Sequence, residues 1–285
     1  MTERDQILVD LGPMSTSRER CLMLRTGTID ADTISQAEAA RYDQLPVLDD
    51  EGRLCGLIAT ERARALLDAG EDLDPVAHHL TFHTVTRSVD LFDLLSAFEN
   101  HRAVIFRRDT VDDASDDDWF AIVTISDLNR HPLRSYLYPI LVELESALAE
   151  LIDCQFRQEE EWLASCSECA RVRILEIWEV AVRHQVEISR VTGCTLIDMV
   201  NIVAKSGDLR SMLGFASRNK FEKETGSIRD VRNQIMHPVR PLILDQDDVG
   251  KLQDTLGCIL RMTERAVAAN AVLIEQDHMP ARFLP

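Results

Sequence analysis

The sequence predicts an α+β protein, with two β-α-β-β-α copies in the N-terminal half followed by an all-helical bundle. Three observations carry this. The first 133 residues contain an internal repeat, in which strand-like and helix-like runs follow one another twice in the same order. Strand signals stop near Pro132. Beyond it, apolar residues recur at helical spacing. The chain of 285 residues has room for two domains. The expected boundaries are 1–133 for the repeat pair and 134–285 for the bundle, with 134–153 as a linking helix.

The first copy spans about 21–70. Residues 21–24 read as a strand, 34–42 as a helix and 45–48 as a strand; a turn at 49–52 leads into a strand at 54–58 and a second helix at 61–69. In the second copy, 84–86 leads into a helix at 90–100, strands follow at 103–106 and 120–123, and a helix starts near Ser126. Between those strands, 107–118 reads as a solvated acidic loop, because it lacks the glycine and terminal glutamate of a calcium loop. Pro139 is placed in the first turn of a helix carrying Leu141, Leu144, Leu148 and Leu151. A second long helix is expected over 159–189, with Trp162, Val172, Val182 and Val186 on its apolar side. Thr195 should cap a helix over 196–205, short helices follow near 209–216 and 220–223, and 245–248 caps a last long helix. The expected whole is a bundle of four long helices with short inserted ones.

Charge and cysteine usage narrow the class. A net charge of −18 argues against general coating of nucleic acid, since the whole-protein field repels phosphates. Residues 205–240 are an exception: eight basic residues against four acidic ones give a local +4 and leave −22 for the remainder. Such an island suits one selective anionic ligand. The seven scattered cysteines fit reduced thiols. Cys166 and Cys169 have metal-like spacing without the second pair a zinc site needs, so buried thiols and no metal are expected. The first ten residues lack the order of a signal peptide, and no apolar run approaches the roughly 20 residues of a membrane span, so a cytoplasmic protein is expected.

The repeat resembles a tandem CBS-domain pair. The residues that carry the resemblance are Tyr42-Asp-Gln-Leu-Pro-Val-Leu-Asp-Asp-Glu-Gly-Arg-Leu-Cys-Gly-Leu-Ile58 and Ala121-Ile-Val-Thr-Ile-Ser-Asp-Leu128. The family implies a disc-like pair, in many cases holding an adenine nucleotide in the cleft between copies. Its ligand pattern falls on Thr124, whose hydroxyl would meet phosphate, and Asp127, whose carboxylate would accept from ribose hydroxyls. In the first copy Ala59 and Arg62 stand at those positions, so one site at most is expected. Thr-x-x-Asp is equally the pattern of a helix N-cap.

The basic island contains Arg232-Asn-Gln-Ile-Met-His237, followed by Pro238. A proline there biases His237 out of helical geometry, so the cluster should sit at a helix C-terminus, with Val231, Ile235 and Met236 on its buried side. The stretch resembles the Arg-x(4–6)-His motif of the HEPN superfamily in its form with Asn after Arg, over roughly 134–285. The resemblance implies cleavage of RNA without a metal cofactor, in a homodimer or higher even oligomer whose two motifs line one cleft. His237 would act as general acid–base, Arg232 would neutralise phosphate charge, and Asn233 would orient the imidazole or the phosphate. The products would be a 2′,3′-cyclic phosphate and a 5′-hydroxyl. Lys223, Arg229 and Arg240 are the expected RNA-binding residues. An enzyme of this kind, regulated by an adenine nucleotide, suits a toxin or an antiphage defence system. The alternative is a non-catalytic nucleotide-sensing or dimerisation protein. On a regular helix Arg232 and His237 stand about 140° apart. The turn must depart from α geometry, the arginine must reach around, or each residue must complete a site with a second protomer.

Overall fold

A computed structural model of the protein describes residues 6–107, 119–156 and 158–275. The expected acidic loop lies, from residue 108, outside the described residues. The chain divides into two compact units: the chain up to Tyr136 with Pro241–Gln253, and Leu137–Arg240 with the chain from Asp254. The first unit therefore takes in a later segment as well as the repeat pair.

In the first unit the opening strands are β1 (Leu8–Asp10) and β2 (Thr16–Ser17). The first copy is β3 (Leu24–Arg25), α1 (Ala31–Ala40), β4 (Gln44–Leu48), β5 (Leu54–Ala59) and α2 (Thr60–Ala69). The second is β6 (His83–Val85), β7 (Ser88–Asp90), α3 (Leu91–Asn100), β8 (Ala103–Arg107) and β9 (Trp119–Thr124), then a 3₁₀ turn over Ile125–Asn129. The copies share one topology. β3 lies parallel to β4 and β4 antiparallel to β5, just as β6 lies parallel to β8 and β8 antiparallel to β9. Asp30 and Asp90 cap α1 and α3 by accepting from backbone amides two and three residues on. Leu48 of the first copy packs in one core with Ala103, Ile105 and Ile122 of the second.

Three expectations change here. The strand at 21–24 is reduced to Leu24–Arg25. The helix near Ser126 is a 3₁₀ turn, and α4 (His131–Gln155) starts after it. β1, β2 and β7 were not anticipated; each is two or three residues long, and its ladder is formed with residues far away in sequence.

The second unit is helical. After α4 come α5 (Glu159–Leu163), α6 (Glu168–Arg183), α7 (Leu196–Lys205), α8 (Gly207–Met212), α9 (Arg218–Thr225), α10 (Ile228–Met236) and α11 (Gln246–Glu275). Thr195 and Asp198 form a reciprocal capping box at α7. Pro139 sits inside α4 rather than in its first turn, and Pro132 takes the place where a missing N–H costs nothing. The helix expected over 159–189 is broken. Ser167 caps α6 by accepting from the Ala170 amide at 3.3 Å, and Gln185, at φ 57°, ends the helical path. The break resets the phase, so Ala170 and Ile174 are buried while Val172, Val182 and Val186 are about half exposed. Among the described residues, α4, α6 and α11 are the long helices, so the four-long-helix bundle is corrected to three. No described helix is long and apolar enough to cross a membrane.

Candidate functional site

A cavity of about 210 Å³ opens in the first unit where the two copies meet. Leu22 and Pro46 of the first copy and Ile122 of the second give it apolar walls, and Thr124, Ser126 and Asp127 give it polar ones. The sequence-predicted pair thus lines a cavity and caps a turn at once. The Thr124 amide and hydroxyl donate to one Asp127 carboxylate oxygen at 2.8 and 2.9 Å. Arg130 holds the other oxygen at 2.8 Å. Burial pushes the Asp127 carboxyl above the usual range, against the Thr124 amide, the Arg130 charge and the Thr124 hydroxyl. In the first copy, Ala59 precedes α2 with no side-chain cap.

Two arginines complete the cavity wall and were missed in the sequence. Arg130 stands three residues after Asp127, a spacing at which ion pairs form, so the signal was there. Arg41 gave none: it ends α1 in the left-handed conformation at φ 58°, a place more often taken by glycine. Cys21 also faces the cavity, its thiol pushed up to about 12 by burial, with Asp127 and Glu19 adding to the effect.

In the second unit, Arg232 and Asn233 lie in the last turns of α10 and are half-buried, while His237 follows the helix and is exposed. His237 has φ −117° and ψ 86°, and its amide still donates to the Asn233 carbonyl at 3.0 Å. Arg232 Nη1 donates to Asn233 Oδ1 at 3.4 Å. The guanidinium therefore reaches toward Asn233, and the chain leaves α geometry at His237. No hydrogen bond joins Arg232 to His237 among the described residues, and Arg232 forms no ion pair there with Asp230. Val231 and Ile235 are buried as expected, but Met236 is 41% exposed, because α10 ends there and its last side chain leaves the packed stripe. Lys223, Arg229 and Arg240 are exposed. Arg218 and Lys220 pair with Glu222 and Glu224 along α9, so part of the basic island is neutralised within its own helix.

A scan against protein-family models finds no match, and a search of curated proteins finds none either. Among solved structures, similar chains include CBS-domain proteins, matched over the N-terminal part of this chain. A CBS domain protein from Shewanella oneidensis MR-1 is 22% identical, with 41% of this chain and 90% of that one covered and a TM-score of 0.32. CbpB in complex with c-di-AMP is 12% identical, covering 47% and 89%, with a TM-score of 0.34. CBSX2 in complex with AMP is 20% identical, covering 46% and 97%, also with a TM-score of 0.34.

What the first unit's site can do follows from its own groups. Apolar walls suit a flat base, the Ser126 hydroxyl and the Asp127 carboxylate suit ribose hydroxyls, and the Thr124 hydroxyl and the Arg41 charge suit phosphate, while Arg130 is paired with Asp127.

Proposed function

We propose that the protein is an endoribonuclease whose activity is set by an adenine nucleotide held in the first unit. The observation that carries this reading is the presence in one chain of two arrangements. One is a cavity walled by Thr124 and Asp127; the other is a helix end bearing Arg232, Asn233 and an exposed His237. His237 takes the proton from a ribose 2′-hydroxyl as that oxygen attacks the adjacent phosphorus, or returns one to the departing 5′-oxygen. Such a role is worth about 10²–10⁴-fold. Arg232 neutralises charge gathering on the phosphate oxygens, and Asn233, already bonded to Arg232, orients it. A second protomer would supply the complementary proton-transfer group.

The test is digestion of total RNA without added metal, with the cut ends mapped. Cleavage leaving 2′,3′-cyclic phosphates, lost in Arg232→Ala and His237→Ala, is the expected result; cleavage that survives both substitutions overturns the catalytic assignment. Isothermal titration with AMP, ATP and c-di-AMP, using Asp127→Ala as the control, tests the cavity. Nucleotide binding without RNA cleavage would favour the other reading, a non-catalytic regulatory protein. The missing Arg232–His237 hydrogen bond is the observation on its side.

A further inference from the structure

The 3₁₀ turn beside the cavity grips a second stretch of chain at its far end. Asn129, its last residue, accepts from the Leu242 and Ile243 amides through Oδ1 at 2.6 and 2.9 Å, and donates through Nδ2 to the Ile243 carbonyl at 2.7 Å. One side chain thus offers backbone groups what a neighbouring strand would offer them. Leu242 and Ile243 are buried, and their segment, Pro241–Gln253, belongs to the same compact unit as the cavity. Leu242 is five residues beyond His237, and the link between them contains Pro238 and Pro241, whose fixed φ leaves it little slack.

We propose that Asn129 is a positioning residue that couples occupancy of the cavity to the placement of Arg232 and His237. The proposal rests on the reading of both sites given above. A nucleotide bonding to Thr124 or Asp127 competes with the three bonds that now fix the start of the turn, two from Thr124 and one from Arg130. The turn is five residues long, so a change in its winding reaches Asn129 directly. Leu242 and Ile243 then move with the turn unless three hydrogen bonds break. Gln246 and Gln253, which donate to the Phe98 carbonyl and the Ser96 hydroxyl, keep the later part of the segment on α3. Nucleotide shifts the segment only to the extent that it binds one winding better than another.

Hydrogen exchange on the full chain, with AMP, ATP and c-di-AMP as separate probes, tests the coupling. In the native sequence a bound probe should change exchange at residues 124–130 and also at the Leu242 and Ile243 amides. In Asn129→Ala the first change should persist and the second vanish. Metal-free RNA cleavage is the parallel readout. Couplings between sites typically run about 5- to 150-fold, and here the nucleotide-dependent ratio should fall to about one while the rate without nucleotide stays within about twofold. A purely structural tie would alter the thermal midpoint without touching that ratio. A native chain in which the exchange change stops at the turn overturns the proposal, and so does an Asn129→Ala chain that transmits it unchanged. Should Asn129→Ala fail to fold, the native measurement decides alone. Coupled exchange without RNA cleavage leaves the clasp standing and removes the ribonuclease reading; failure of every probe to bind removes both.

Discussion

Pro238 accounts for the exposure of His237. It disfavours helical geometry at the preceding residue, and the imidazole is left beyond the last turn of α10. Another pair of residues shows how little spacing in sequence says about side-chain chemistry. Cys166 and Cys169 share a metal-like spacing, yet the thiol that meets Cys166 is Cys194. Its hydrogen bond to Cys194 holds the Cys166 thiol below the ordinary range, while Cys194 is pushed up by the same bond and by burial. Near neutral pH iodoacetamide should therefore label Cys166 before Cys194. Cys194→Ala, by removing the bond, should return Cys166 toward the ordinary range and slow its labelling. Mass spectrometry of the modified peptides reads the order; Cys194 labelled first would contradict the geometry. Which side chains touch was beyond the sequence, since it depends on the loops around α6 meeting.

Among the elements, β5 shows a strand shaped by what approaches it. A Cβ on Gly56 would come within 2.6 Å of the Leu80 Cβ and 2.9 Å of the Leu80 carbonyl carbon, while the neighbouring Leu57 amide donates to the Thr81 carbonyl at 3.1 Å. Overpacking of this kind costs about 1–3 kcal/mol, so Gly56→Val should lower stability by that amount in urea titration without removing Thr124 or Asp127 from the cavity. Unchanged stability would show that residues 80–81 yield freely. The elements legible in the sequence are those made by local signals. The strands at 45–48, 54–58 and 103–106 follow apolar runs between turn residues, and the α7 cap follows Thr195 and Asp198. The break before α6 had its signal in Ser167, which the apolar periodicity on either side concealed. The left-handed Arg41 had none, because its neighbours do not reveal that α1 must stop there to feed β4.

For the whole molecule, the pairing of a repeat with a helical remainder was readable, but the later segment shared with the first unit was not. That segment is held by the Asn129 side chain across more than 100 residues of sequence. A fragment ending at Tyr136 loses the three Asn129 hydrogen bonds, at about 1 kcal/mol each, together with the Gln246 and Gln253 bonds to α3 and the burial of Leu242 and Ile243. It should therefore unfold more easily than the same unit in the intact chain by more than about 3 kcal/mol. Comparative thermal unfolding would measure the difference, and equal stability would show that the clasp adds nothing. Leu137–Arg240 therefore begins and ends between two parts of the first unit, as an insertion rather than a tail. A stop codon before residue 241 cannot silence the Arg232 stretch and leave an intact nucleotide sensor behind. In genetic terms, any truncation before residue 241 would remove both activities proposed for this chain, and only a stop after Gln253, which spares every part of the first unit, or a point substitution would separate them.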